Sequence, residues 1–173
     1  MKKIFLATVT SFLVLLSACN NETSTTETTT GEDSGTMADD NMSGTASNNV
    51  VSKTGIALSS SQEVPVNNST ASGTADVSYN KDNRMLTYTV KWDGLTGEAT
   101  MAHIHGTAPK GANAGVKHDL SKMLSKSMAG SFSDSVMVDG TNLKEDSLLA
   151  GFYYFNIHTA KNKGGEIRGQ IEF

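Results

Sequence analysis

The histidines of this chain are spaced in a way that suits metal binding. His103 and His105 are one residue apart in MAHIHGTAPKG (101–111), His158 lies in FNIHT (155–159), and His118 is the fourth histidine. In a β-strand residues i and i+2 point to the same face, so His103 and His105 present their imidazoles side by side. Three imidazoles are a suitable ligand set for zinc or copper, with a fourth position left for water, His118 or a carboxylate.

Strand alternation predicts which way these side chains point. If Ile104 and Ile157 enter the core, then His103, His105 and His158 point away from it. The arrangement resembles the copper side of copper/zinc superoxide dismutases in architecture only, because the cysteine pair and the longer metal loop of those enzymes are missing. The metal hypothesis requires the three imidazole nitrogens to lie within roughly 3 to 5 Å of one another.

Structural hydrogen bonding is the alternative interpretation of the same histidines. Imidazoles on strands often donate to a backbone carbonyl or to a carboxylate, here Glu166. In the metal hypothesis Glu166 would instead orient a metal-bound imidazole by accepting a hydrogen bond from its other ring nitrogen. Glu166 stands in GGEIRGQ (164–170), where a tight turn at Gly164 and Gly165 places Glu166 and Arg168 on one strand face. A charged pair of this kind also serves as a cross-strand structural contact.

The sequence contains no signature of covalent or phosphate chemistry. It has no G-x-S-x-G motif, and its single cysteine, Cys19, lies in the leader. The glycines of GTAPKGANAG (106–115) lack the G-K-S/T that a phosphate-binding loop requires. We therefore assign no catalytic residue and expect a non-enzymatic module.

The elements that must position the histidines are β-strands. Short stretches of alternating apolar and polar residues, separated by Gly, Asn and Asp, predict an all-β domain over residues 53–173: a Greek-key-like sandwich or barrel of about seven strands. A short helix is expected within 141–151, whereas 118–128 is either a short helix or a loop. The predicted strands lie near 54–63, 72–79, 85–92, 100–105, 130–138, 152–159 and 166–173.

Residues 1–18 have the features of a secretory leader. Lys2 and Lys3 precede an apolar run that ends in LLSAC, which resembles a bacterial lipobox. The resemblance implies cleavage before Cys19 and attachment of a diacylglycerol to its sulfur, so the N-terminal lipid would hold the protein on a membrane. Asn20, where aspartate would resemble an inner-membrane retention signal, favours the outer membrane if the cell has one.

Residues 19–52 are predicted to be a disordered tether. The segment is rich in Ser and Thr, carries six carboxylates and is almost devoid of large apolar side chains, so it cannot bury enough surface to offset its chain entropy. Two of the 14 basic residues lie in the leader and six of the 18 acidic residues in the tether, which leaves 12 of each in the domain. This balance argues against a nucleic-acid partner.

Three separated segments resemble the CHRD domain, a module named after chordin and common in bacterial secreted proteins. They are ALSSSQEVPVNNSTASGTADVSYN (57–80), AHIHGTAPKGANAGV (102–116) and LLAGFYYFNIHTAKNKGGEIRGQIEF (148–173). The resemblance implies a compact β-sandwich without an agreed activity. We therefore expect a lipid-anchored protein of the cell envelope that binds a protein or a polysaccharide or has a structural role. The alternative is an extracytoplasmic copper- or zinc-binding protein.

Overall fold

The computed structural model describes residues 49–173. The predicted leader, the lipidated Cys19 and the tether up to residue 48 lie outside the described residues and stay predictions. The first strand begins at Val50, within the last residues assigned to the tether. In the described part of the chain, no helix has the length and apolar character needed to cross a membrane.

Eight antiparallel strands form one continuous sheet that curls into a half-barrel, so the predicted all-β fold is confirmed. The strand order across the sheet is β5-β4-β7-β8-β1-β2-β3-β6. β4 and β7, which carry the three candidate histidines, are therefore neighbours. The strands are β1 (Val50–Ser59), β2 (Ser72–Asn80), β3 (Met85–Asp93), β4 (Ala99–Gly106), β5 (Val116–Asp119), β6 (Gly130–Met137), β7 (Tyr153–Thr159) and β8 (Ile167–Gln170).

The strand missing from the sequence-based prediction is β5. Its four residues pair with β4 at the edge of the sheet, and a 3₁₀ turn (Ser121–Met123) follows. Four residues with one β-branched side chain give too short a pattern to detect by alternation. The expected short helix is present as α1 (Glu145–Leu149), and Gly151 follows it with a φ of 74°, a conformation that favours glycine.

The inner, concave face of the sheet carries the hydrophobic core. Ile104 of β4 and Ile157 of β7 are buried there, as the alternation predicts. Tyr88 packs edge-on against Phe132, with ring centroids 6.4 Å apart, and at a tilt against Phe155 at 5.4 Å. Burial of these apolar side chains supplies most of the driving force for folding.

The outer face of β7 and β8 is also covered, and that of β4 is partly covered, which the alternation does not predict. Every residue of β7 is buried, and Arg168 and Gln170 of β8 are 1% and 3% exposed. The loop 107–115 lies over this face: the Gln170 side chain donates to the carbonyl of Ala108, and Asn113 donates to the carbonyl of Val64 in the neighbouring segment 60–71. A second, polar layer therefore lies between the sheet and these loops.

Candidate metal centre

Strand register places the three histidines on the outer face of β4 and β7. The directly opposed pairs are Met101 with His158, His103 with Asn156, and His105 with Tyr154. Opposed residues point to the same face, and diagonal neighbours lie within reach of long or aromatic side chains. His158 is therefore diagonal to His103, and all of these side chains enter the polar layer.

The three imidazoles converge. One nitrogen from each of His103, His105 and His158 belongs to a set whose members all lie within 4.8 Å of one another. The closest approach is 3.0 Å, between Nδ1 of His103 and Nε2 of His158. The ring centroids of His103 and His105 are 5.3 Å apart, and those of His103 and His158 are 4.9 Å apart. The metal hypothesis requires the three imidazole nitrogens to lie within roughly 3 to 5 Å of one another, and they do.

Backbone carbonyls fix which nitrogen of two imidazoles is available. Nδ1 of His105 donates to the carbonyl of Ala114 at 2.9 Å, and Nδ1 of His158 donates to the carbonyl of Lys163 at 2.9 Å. A neutral imidazole has one N–H, so Nε2 of both rings carries a lone pair. A backbone carbonyl that holds the far nitrogen in this way is the usual partner of a metal-bound histidine.

Nε2 of His105 is buried and has no hydrogen-bond partner among residues 49–173. Leaving a buried polar atom unpaired costs about 1–3 kcal/mol, which makes this lone pair the least satisfied feature of the cluster. An ion bound by this nitrogen would satisfy it.

Burial keeps the imidazoles neutral. Desolvation lowers the pKa of His158 to about 4 and also lowers the pKa values of His103 and His105. The proximity of the other two imidazoles further lowers the pKa of His158. At neutral pH all three rings therefore present lone pairs, which is the protonation state that a metal ion requires.

Tyr154 and Arg168 support His105 from the side of β8. The rings of Tyr154 and His105 are stacked, with centroids 4.9 Å apart and planes 4° from parallel. The guanidinium of Arg168 lies 3.5 Å from the Tyr154 ring centroid, and since β7 lies between β4 and β8 it occupies the other ring face. The Tyr154 hydroxyl accepts from the amide of Ala114, so His105 and Tyr154 are attached to the same loop residue.

His118 does not join the cluster. It pairs with Ile104, so it belongs to the opposite face of the sheet from His103, and it is absent from the converging set. The residue of β5 opposite His103 is Asp119, whose Oδ1 lies 3.8 Å from Nε2 of His103. The carboxylate therefore lies on the Nε2 side of the His103 ring, at a distance too long for a hydrogen bond, while Nδ1 of the ring faces His158.

Glu166 contacts hydroxyl groups and a backbone amide, and within residues 49–173 its carboxylate forms no hydrogen bond with an imidazole. Its carboxylate accepts from Ser69 Oγ at 2.6 Å, from the amide and hydroxyl of Thr96 at 2.7 and 2.8 Å, and from Thr159 Oγ1 at 2.6 Å. Among residues 49–173 the carboxylate therefore has no contact through which it could orient a histidine, and its bond from Thr159 of β7 is of the cross-strand, structural kind. Arg168 lies on the ring of Tyr154. Four hydrogen bonds to the oxygens make this carboxylate a structural link between three segments.

Several functional neighbours were not identified from the sequence. Asn156, with Oδ1 3.0 Å from Nε2 of His158, shares the parity of His158 in β7 and could have been found from it. Asp119 could not have been identified in this way, because the sequence pattern did not predict the strand that carries it, β5. Ala114 and Lys163 act through backbone carbonyls, so side-chain chemistry gives no signal for them.

Comparison with known families agrees with the resemblance described above. The model of the CHRD domain family matches residues 54–171. Searches of the curated proteins and of the solved structures found no match.

Proposed function

The chain belongs to the CHRD domain family, and we propose that its domain is a lipid-anchored, extracytoplasmic module that binds a transition-metal ion through His103, His105 and His158. The convergence of the three imidazoles carries this proposal. Metal–nitrogen bonds are about 2 Å long, so binding draws the most widely separated nitrogens together by roughly 1 Å, which imidazole rotation can supply.

Two features favour metal binding over a purely structural role. A structural histidine uses its buried nitrogens in hydrogen bonds, whereas Nε2 of His105 has none among the described residues. The carbonyl of Lys163 holds His158 with its Nε2 lone pair 3.0 Å from Nδ1 of His103, and the carbonyl of Ala114 leaves Nε2 as the unprotonated nitrogen of His105. A hydrogen bond between His103 and His158 uses one lone pair and leaves that of His105 unpaired.

The anchoring part of the proposal rests on the leader sequence. LLSAC ends an apolar run preceded by two lysines, and each buried acyl methylene contributes about 0.8 kcal/mol to membrane binding. An acidic tether free of Lys and Arg would then separate the domain from the bilayer.

Metal analysis of the full chain, purified in detergent without chelators, tests the site. We expect copper or zinc to bind at one ion per chain and to raise the melting temperature, because a ligand specific to the native state stabilises it by about 2.7 kcal/mol at 100 times Kd. His103→Gln and His105→Gln should each lower the affinity at least tenfold.

His118→Gln is the matched control, since His118 lies outside the converging set. It should bind the ion with wild-type affinity. If neither ion binds or changes the melting temperature of the wild-type chain, the histidines have a structural role and the proposal fails.

A further inference from the structure

Met101 is the side chain next to the histidines whose chemistry remains unassigned. It lies directly opposite His158 on the same face of the sheet, and it is 40% exposed although it is a large apolar residue. Opposed residues in an antiparallel pair have Cβ atoms about 4.5–5.5 Å apart. The flexible Met101 side chain can therefore bring its sulfur to the imidazole of His158.

The charge of the surroundings opposes the two candidate ions unequally. The guanidinium of Arg168 is separated from His105 only by the Tyr154 ring. Its repulsion of a bound cation and the cost of removing that cation from water both rise with the charge of the ion. A monovalent ion is therefore opposed less than a divalent one.

The carboxylates near the site are not placed to coordinate the ion. Asp119 lies near Nε2 of His103, the nitrogen that faces away from the other rings. Glu166 is occupied by three hydroxyl groups and an amide. Zinc sites usually combine imidazole with thiolate, carboxylate or water, whereas thioether donors select Cu(I).

Resting on the metal-binding function proposed above, we propose that the ion is Cu(I) and that the thioether of Met101 coordinates it together with the imidazoles. The amide oxygen of Asn156, 3.0 Å from Nε2 of His158, is a hard donor and stays outside the coordination sphere. At 40% exposure, Met101 is accessible to an ion from solvent.

Anaerobic titration with Cu(I) against a chromophoric Cu(I) chelator, together with X-ray absorption at the copper edge, tests the assignment. The full chain in detergent is used with Cys19→Ala in every sample, so that no thiol contributes. We expect one sulfur neighbour at copper in the parent chain. Met101→Leu should remove that sulfur and lower the Cu(I) affinity at least tenfold, while the Zn(II) affinity stays unchanged.

Met137→Leu is the matched control, because Met137 is an exposed strand methionine on β6, at the other edge of the sheet. It should change neither the affinity nor the spectrum. Met101→Ile gives a second thioether-free side chain suited to a strand in case Met101→Leu does not fold.

The outcomes separate the two proposals. If Met101→Leu and Met101→Ile bind Cu(I) as tightly as the parent, or if the parent shows no sulfur neighbour, the assignment of Met101 is overturned. If the chain binds Zn(II) through the histidines and does not bind Cu(I), the metal-binding function stands and this inference fails. If it binds neither ion, both fail.

Discussion

At the scale of single residues, hydrogen-bond partners decide what each polar side chain can do. His105 and His158 give their only proton to a backbone carbonyl and keep a lone pair, so they are suited to binding a cation. Glu166 accepts four hydrogen bonds and has no free oxygen to offer. From the sequence, both the histidines and Glu166 were candidate site residues. Only their hydrogen-bond partners in the structure distinguish them.

Glu166→Gln should destabilise the fold and leave metal affinity unchanged. The amide replaces one acceptor oxygen with a donor that faces hydroxyl groups, and a hydrogen bond to a charged group contributes about 1.5–3 kcal/mol. We expect a loss of about 2 kcal/mol in urea unfolding at pH 7. A fall in metal affinity with unchanged stability would contradict the structural role.

The same variant has a predictable pH dependence. Although burial opposes ionisation, hydrogen bonds from Ser69, Thr159 and Thr96 lower the pKa of Glu166 from 4.5 to about 2. A carboxyl whose pKa is lower in the folded state stabilises the protein above pH 4.5, and this contribution disappears as the pH falls towards 2. The stability difference between wild type and Glu166→Gln should therefore shrink over that interval; a constant difference would refute the linkage.

At the scale of elements, β7 positions the site because it is covered on both faces. Its inner residues enter the hydrophobic core, and its outer residues lie under loops that join the strands. The loop 107–115 contributes the carbonyl of Ala114 to His105, and the loop after β7 contributes the carbonyl of Lys163 to His158. The loops therefore both exclude water and hold the imidazoles.

Gly106→Ala should disturb the strand that carries His103 and His105. A Cβ at Gly106 would overlap the ring of the buried Tyr153, so β4 must shift next to His105. Overpacking of this kind costs about 1–3 kcal/mol, and we expect metal affinity to fall together with the melting temperature.

Gly115→Ala is the control for this change. A Cβ at Gly115 meets no atom within 4 Å, and Gly115 accepts from the amide of Gly106 through its backbone, which the substitution keeps. Wild-type stability in Gly106→Ala, or an equal loss in Gly115→Ala, would show that the close contact with Tyr153 does not position the site.

At the scale of the whole molecule, the predicted leader, the predicted tether and the domain are expected to have separate tasks. Cys19 is the only cysteine in the sequence. The domain must therefore be stable through its core and its buried polar layer, without a disulfide. The 12 acidic and 12 basic residues left once the signal and tether are set aside give the domain no net charge to attract it to a membrane surface. Membrane association is therefore expected to depend on the lipid alone.

Cys19→Ala should prevent lipidation and change the membrane attachment without changing the folded domain. We expect globomycin, which blocks cleavage of lipoprotein leaders, to cause accumulation of the precursor of the wild-type chain and to have no effect on the variant. The melting temperature and metal affinity of the variant should equal those of the wild type. Unaltered mature wild-type protein in the presence of globomycin would refute the lipoprotein assignment.

The sequence by itself determined the fold class, seven of the eight strands, the short helix and the parity of the histidines. These features follow from local alternation and turn residues, which operate over a few positions. The parity argument placed His103, His105 and His158 on the face opposite Ile104 and Ile157, and the structure agrees.

Only the tertiary structure decided whether the imidazoles meet and what surrounds them. The contact between His103 and His158 spans 55 positions and depends on the pairing of β4 with β7. The carbonyls of Ala114 and Lys163, the stacking of Tyr154 and the separation of Glu166 from the histidines depend on loop paths. The contacts of His103 with His158 and of His105 with Tyr154 join residues far apart in the chain, and the two carbonyls are positioned by irregular loops, so strand alternation encodes none of them.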